Sequence, residues 1–324
     1  MKTKSKRLIY LDEYVLINGI NQFLFHLGTS YNNPVMLYLH AGPGSVESLF
    51  TGAFQEKWEE IYTVVHWDQR GAGKTLTKNP NQLPTIDLMV QDLYEVVQYL
   101  KKKYNKQKIV LLGHSWGTVL GSLFIRKYPE EIAYYIGAAQ VIGIVENEKV
   151  GYNKIREVIE QASDKKSLRK LGTIGEYPGN KINFDKEFLR KCKIVRKLQG
   201  KYKIGMELGF SIWMTMLKSP IFKLSDIIAL LKISKANEKI LKFLSDFNLR
   251  NETSEYKVPI YYVLGGSDWQ APYIIAQNYF EEIKAPNKKI YVIPNAGHFL
   301  MFDQPVLFFD TLSEIKKIEK KNLL

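Results

Sequence analysis

The chain has 324 residues, 45% of them hydrophobic, and carries a formal net charge of +13 with a pI near 9.4. It is long enough to bury a large core as one large domain or two smaller ones. Its single cysteine, Cys192, excludes an internal disulfide, and no His/Cys spacing predicts a zinc site.

The termini and the apolar runs predict a soluble, cytoplasmic protein. The basic N-terminus is interrupted by Asp12 and Glu13 before an apolar signal core forms, and no run of about 18 apolar residues could span a membrane. Basic residues do not alternate with aromatic ones as in a nucleic-acid module, so no nucleic-acid partner is expected.

In chain order, the N-terminal half alternates apolar strands with an amphipathic helix. Asn18-Gly19 sits between two alternating runs and predicts a hairpin. Strands are expected at 35–40, 62–67, 109–112 and 134–139, with helices at 85–104 and after the turn at 113–117. This alternation predicts a mostly parallel sheet covered by helices on both faces.

The region 145–250 has a different pattern, because it is helical throughout and holds most of the charge. It contains 23 Lys/Arg and 12 Asp/Glu, so it carries +11 and the rest of the chain only +2. Strands resume at 258–264 and 289–293, with helices at 272–283 and 306–318. We therefore predict a core domain of residues 1–144 and 251–324 and an inserted helical cap of residues 145–250. The cap's charge indicates a solvated lysine-rich surface or, alternatively, contact with an anionic surface.

The turn Gly113-His114-Ser115-Trp116-Gly117 follows an apolar strand and precedes a helix. A G-x-S-x-G motif in this position is typical of a nucleophile elbow, in which the serine oxygen is exposed at the carboxyl edge of the sheet. We predict Ser115 as the nucleophile. The alternative is a turn serine that only caps the helix.

A serine nucleophile needs a base and an acid to orient that base. His298 is the only histidine after Ser115, and it follows the last strand. Asp268 follows the preceding strand, so the chain order Ser, Asp, His is that of parallel-sheet hydrolases. For Asp68 we predict instead a buried structural pair with Arg70.

Two backbone amides are predicted to bind the oxyanion. One is that of Trp116, directly after the nucleophile. The other is that of Gly42, in the His-Ala-Gly-Pro-Gly loop that follows the strand at 35–40.

Five motifs together resemble the prolyl aminopeptidase (proline iminopeptidase) family of α/β-hydrolases: H-A-G-P-G, D-Q-R-G-A-G-K-T, G-H-S-W-G-T, G-G-S-D-W and A-G-H-F. Two departures are visible. Ala41 replaces the first glycine of the usual H-G-G-P-G, and the acid's turn is G-G-S-D rather than of G-R-x-D type. The resemblance implies an α/β-hydrolase fold with a helical cap, and release of an N-terminal residue, often proline, without a metal or other cofactor.

In the family, cap carboxylates hold the substrate's amino group, since a buried ammonium without a partner is costly. The candidates here are Glu207 and Glu176, although either could be an ordinary surface carboxylate. Trp213 and Trp269 could form a pocket for the proline ring, or could belong to the cap core.

The sequence therefore predicts a serine hydrolase of prolyl aminopeptidase type acting on small peptides. The first alternative is an esterase, amidase or lactonase that uses the same residues on a small acyl substrate. The second is a ligand-binding protein of the same fold without catalysis.

Overall fold

The computed structural model describes residues 7–179, 181–206 and 210–322. Its centre is an eight-stranded sheet with the spatial order β1-β2-β4-β3-β5-β6-β7-β8. The strands are β1 Ile9–Ile17, β2 Ile20–Gly28, β3 Val35–Leu39, β4 Thr63–Asp68, β5 Ile109–His114, β6 Ile132–Ala138, β7 Ile260–Gly265 and β8 Lys288–Ile293.

The sheet is parallel from β4 to β8 and antiparallel at its β1–β2 end. The hairpin predicted at Asn18-Gly19 is confirmed, and both residues have positive φ, 44° and 78°, as the tight turn requires. Because neighbouring parallel strands end at the same edge, residues that follow β3, β5, β7 and β8 come together there.

The helices are α1 Thr51–Phe54, α2 Gly73–Lys78, α3 Ile86–Tyr104, α4 Trp116–Lys127, α5 Ile144–Gln161, α6 Lys165–Gly172, α7 Lys186–Lys201, α8 Phe210–Leu217, α9 Leu224–Ala236, α10 Glu238–Asp246, α11 Tyr273–Glu282, α12 Leu300–Asp303 and α13 Pro305–Asn322. Among the described residues, no helix is both long and apolar enough to cross a membrane.

The core lies in two layers, one on each face of the sheet. Strand β3 shows why, since Leu37 and Leu39 pack with α3 and α4 on one face. Met36 and Tyr38 pack on the other face with α1, α12 and α13. Successive strand side chains point to opposite faces, and a strand that is apolar at every position is therefore covered on both sides, as predicted.

Helices α5 to α10 lie in the chain between β6 and β7, which are neighbours in the sheet, and they occupy the region predicted as the inserted cap. Part of the cap has its own apolar cluster, which includes Ile155, Leu171 and Val195. Helix α9 lies against α2, where Lys74 Nζ and Asp226 Oδ2 are 2.6 Å apart in a buried ion pair. These contacts hold α9 close to the loops at the carboxyl edge of the sheet.

Candidate active site

The turn between β5 and α4 places Ser115 in a conformation that few residues adopt, with φ 52° and ψ −114°. The flanking glycines are required by close backbone packing. A Cβ on Gly113 would lie 2.5 Å from the Gly117 carbonyl oxygen, and a Cβ on Gly117 would collide with the Leu39 carbonyl oxygen. The G-x-S-x-G spacing therefore follows from the crossing of strand and helix, and it leaves the serine hydroxyl at the edge of the sheet.

The structure brings together the three residues predicted as nucleophile, base and acid. Nε2 of His298 lies 2.9 Å from Ser115 Oγ, and Nδ1 lies 2.8 Å from Asp268 Oδ2. Both His298 and Asp268 are buried, whereas Ser115 is partly exposed. This is the geometry in which an imidazole could accept a proton from a serine hydroxyl.

The Asp268 carboxylate is held by the turn that carries it. Its Oδ1 accepts hydrogen bonds from the amides of Gln270 and Ala271, both at 2.9 Å, which leaves Oδ2 directed at His298. These two bonds fix the orientation of the carboxylate.

A second buried chain of contacts, which the sequence did not reveal, supports the backbone of His298. His114 Nε2 donates to the His298 carbonyl oxygen at 2.8 Å, and His114 Nδ1 donates to Glu47 Oε1 at 2.7 Å. Glu47 Oε2 accepts a 2.5 Å hydrogen bond from the Tyr38 hydroxyl. His114 therefore points away from Ser115, as predicted, but it anchors the loop that carries the proposed base.

The charges of His114 and Glu47 stabilise each other. Burial by itself lowers the pKa of His114, but the Glu47 carboxylate outweighs burial and raises the pKa above its ordinary value. Burial likewise raises the pKa of Glu47, but the His114 ring and the Tyr38 hydroxyl outweigh it, so the pKa lies below its ordinary value. Both shifts favour an imidazolium–carboxylate pair.

The loop after β3 carries the predicted oxyanion donor Gly42. Its φ of 126° favours glycine, and a Cβ there would collide with the Gly44 amide. His40 fixes the loop, because its Nδ1 donates to the Ala41 carbonyl oxygen at 2.7 Å. Neither the Gly42 amide nor the Trp116 amide donates a hydrogen bond to another described residue, so both remain available to an incoming oxygen.

An apolar cavity of about 210 Å³ lies beside these loops. Its wall includes Ser45, which follows the Gly42 loop, and Phe299, which follows His298. Most of its lining is aliphatic or aromatic and comes from the Glu47–Phe50 turn and from the cap: Val46, Leu49, Phe50, Met206, Ile212, Trp213, Met216 and Leu230. A cavity of this kind favours an apolar ligand group, although neither Ser115 nor His298 is part of its lining.

The residues predicted to bind substrate are scattered. Trp213 lines the cavity. Trp269 does not; it contacts the cap, where Lys154 Nζ is 5.2 Å from its ring centroid. Glu176 is exposed, and Glu207 lies outside the described residues. Trp116 does not line this cavity either, since its buried indole donates to Gln69 Oε1 at 2.9 Å.

Two other buried carboxylates of the cap are already paired with cations. Glu148 forms an ion pair with Arg196 and accepts a hydrogen bond from the Tyr177 hydroxyl. Asp226 pairs with Lys74. Within the part of the chain that the structure describes, no group of three or more His, Cys, Asp or Glu side chains is arranged to hold a metal ion.

The predicted pair of Asp68 with Arg70 is wrong. Arg70 instead forms a bidentate ion pair with Asp92 on α3, with distances of 2.7 and 3.0 Å. Asp68 accepts hydrogen bonds from the Ser48 hydroxyl and the Lys74 amide, and burial raises its pKa to about 6. Asp68 ends β4 and Arg70 lies in the loop after it, and each side chain meets a different partner, which their proximity in sequence could not show.

Known proteins align with this chain over much of its length. The sequence model of the Hydrolase_4 family, described as serine aminopeptidase S33, matches residues 52–199. A probable aminopeptidase, YbaC of Bacillus subtilis, is 30% identical over 313 residues, which cover 95% of this chain and 97% of that protein. The chain belongs to the prolyl aminopeptidase family of α/β-hydrolases.

More distant members of the prolyl aminopeptidase family also align over most of the chain. A proline iminopeptidase of Saccharolobus solfataricus is 22% identical over 93% of this chain and 90% of its own length. The crystal structure of a proline iminopeptidase from Mycobacterium smegmatis superposes with a TM-score of 0.70 at 16% identity, covering 97% of this chain and 100% of that one. At that identity the likeness shows the fold alone, and it confirms the predicted α/β-hydrolase architecture.

Proposed function

We propose that this chain is a serine hydrolase that releases the N-terminal residue of small peptides, with a preference for proline. Ser115 attacks the carbonyl carbon while His298 accepts the serine proton and then passes it to the leaving amine. Asp268 orients His298, and the amides of Gly42 and Trp116 stabilise the oxyanion. Water then cleaves the acyl-enzyme, with His298 again acting as the base. The observation that carries this proposal is the continuous hydrogen-bonded chain from Ser115 through His298 to Asp268.

The apolar cavity supports the preference. Its volume and its lining by Trp213 and aliphatic side chains suit a proline ring or another compact apolar residue. The relative in Saccharolobus solfataricus, a proline iminopeptidase, points to the same substrate class.

A second candidate, hydrolysis of small acyl esters, amides or lactones, is favoured by one observation about charge. An N-terminal ammonium needs a carboxylate partner when it is buried. Among the described cap residues, Glu148 and Asp226 are already in ion pairs and Glu176 is exposed. A neutral acyl group would need no such partner.

A substrate panel separates the two candidates. Prolyl and alanyl arylamides with free amino groups are compared with their N-acetylated forms and with p-nitrophenyl esters of short acids. We expect the free prolyl arylamide to be cleaved at least tenfold faster than its blocked form. Equal cleavage of blocked substrates, or cleavage of esters alone, would favour the second candidate.

Ser115→Ala and EDTA test the mechanism itself. We expect the variant to lose turnover on every substrate and EDTA to leave wild-type rates unchanged. If the Ser115→Ala variant turned over substrate at the wild-type rate, the assignment of the nucleophile would be contradicted. Loss of wild-type activity in EDTA would contradict a metal-independent reaction.

A further inference from the structure

The outer face of helices α8 and α9 exposes an apolar stripe. On α9, Leu224, Ile228 and Leu231 are spaced i, i+4 and i+7, so they share one face of the helix. Their exposed fractions are 77%, 54% and 83%, respectively. On α8, Trp213 and Leu217 are also about half exposed and one turn apart. We call these five residues the outer stripe.

The exposed charged residues of α8, α9 and the segment between them are all positive. From 210 to 237 the sequence contains four lysines, no arginine and one acidic residue. That acidic residue, Asp226, is buried in its pair with Lys74. The lysines are exposed, and none forms an ion pair with another described residue: Lys218, Lys223, Lys232 and Lys235. Lys235 continues the line of Leu224, Ile228 and Leu231 along α9.

We infer that the outer stripe is a docking surface for an anionic phospholipid bilayer. A helix that presents aliphatic side chains flanked by lysines can lie in the plane of a membrane surface, with the apolar groups among the acyl chains and the ammonium groups at the lipid phosphates. Lysine's long stem suits this position, because its methylene groups stay in the apolar layer while its charge reaches the headgroups. Trp213 also suits such a boundary, since its ring is apolar and its N–H is polar.

Composition and symmetry favour lipid over protein as the occupant. Protein interfaces are enriched in arginine and aromatic residues and depleted in lysine, whereas this surface has four lysines, no arginine and one aromatic residue in the stripe, Trp213. A twofold dimer would place the outer stripe against its own copy. Such a contact would bring Lys232 and Lys235 of both copies into one interface, without an exposed acidic residue of α8 or α9 to neutralise them.

Docking in this orientation would bring the apolar cavity close to the membrane. Trp213 belongs both to the outer stripe and to the cavity lining, and Leu230 of the lining is next to Leu231 of the stripe. Membrane binding and access to the cavity would therefore involve the same two helices.

The test is co-sedimentation of the full chain with vesicles of phosphatidylcholine alone or with 30% phosphatidylserine. We expect binding to the anionic vesicles only, with release in 0.5 M NaCl. Each lysine near an anionic surface contributes about a fivefold factor in partitioning, so Lys232→Gln/Lys235→Gln should lower it roughly 25-fold. Leu231→Gln should lower partitioning at least tenfold, because it removes the burial of a leucine side chain.

Lys165→Gln/Lys166→Gln is the matched control, since both lysines are exposed on the cap helix α6 and the charge change is the same. We expect this variant to bind within about twofold of wild type, and thermal melts check that all variants are folded. Absence of wild-type binding, equal binding to neutral vesicles, or an equal loss in the control would overturn the inference. So would a wild-type dimer in sedimentation equilibrium that Leu231→Gln dissociates. Because no substrate is used, the result is independent of the proposed hydrolysis.

Discussion

Asp268→Asn tests whether the Asp268 carboxylate decides which nitrogen of His298 carries the proton. In the variant, the side-chain oxygen should stay with the amides of Gln270 and Ala271, which both lie 2.9 Å from Oδ1. The new NH₂ group then faces Nδ1 of His298, 2.8 Å away in the wild type. An NH₂ group only donates, so Nδ1 must accept and the ring proton moves to Nε2. A protonated Nε2 cannot accept the proton of Ser115.

The expected loss is about 10⁴-fold in kcat, the size found when a triad carboxylate becomes an amide and traps the wrong tautomer. It corresponds to about 5.4 kcal/mol of transition-state free energy. Two measurements check it: turnover of the best substrate, and the rate at which a fluorophosphonate labels Ser115, which needs the same activated serine. The unfolding midpoint should stay close to wild type, because both backbone hydrogen bonds to Asp268 are kept.

Asp303→Asn is the matched control for this substitution. Asp303 also belongs to this region of the edge, where its Oδ2 accepts a 2.8 Å hydrogen bond from the Gly297 amide, next to His298. It makes no hydrogen bond to the His298 ring, so we expect less than a fivefold change in labelling. If Asp268→Asn kept more than a tenth of the wild-type labelling rate, or if Asp303→Asn lost as much, the tautomer argument would be refuted.

Three further substitutions test packing and electrostatics around the site. Gly117→Ala would press a methyl group on the Leu39 carbonyl, so urea denaturation should show a loss of about 3 kcal/mol in the free energy of unfolding. Gly172 lies in open space on α6, so Gly172→Ala should change that free energy by less than about 1 kcal/mol. Equal effects of the two substitutions would contradict the packing argument. Asp92→Leu should cost about 3–5 kcal/mol, because it leaves the buried Arg70 guanidinium without its carboxylate, and an unchanged urea midpoint would argue against this pairing. His66 is buried, which lowers its pKa to about 3, whereas an unfolded histidine takes up a proton below about pH 6.5. The contribution of this ring to the free energy of unfolding is thus complete above about pH 6.5 and falls by about 1.4 kcal/mol per pH unit toward pH 3. His66→Gln should lack this part of the pH dependence when urea denaturation is compared at pH 6 and pH 5. An unchanged pH dependence would contradict the assignment to His66.

The meeting of Ser115, Asp268 and His298 at one edge of the sheet could be predicted from the sequence, because it depends only on the order of the strands and on where each strand ends. Ser115, Asp268 and His298 each follow an apolar strand, and parallel strands bring their carboxyl ends to one edge. The α/β-hydrolase fold follows from the same periodicity, which needs only the local pattern of apolar residues.

Side-chain partners far apart in sequence could not be predicted in this way. His114 and Glu47 are 67 positions apart, and Arg70 and Asp92 are 22 apart. Each pair forms because two elements pack side by side. The local pattern of apolar and polar residues does not indicate which residue of the other element will face a given side chain. The sequence alone predicts Asp68, two positions away, as the partner of Arg70, and that prediction is wrong.

In helix α9 of the cap, too, the sequence pattern does not show which side chains are buried. Apolar residues occur all round this helix, and such a helix is ordinarily buried on every side. In the structure Ala229 and Asp226 face inward, while Leu224 and Leu231 remain exposed. Water is an unfavourable environment for that face, and the lysines beside it form no ion pair with a described residue. A bilayer with anionic headgroups relieves both difficulties at once, since it removes the leucines from water and neutralises the lysines. The exposed apolar face of α9 and the lysines beside it thus have one physical explanation, which the vesicle experiment can reject.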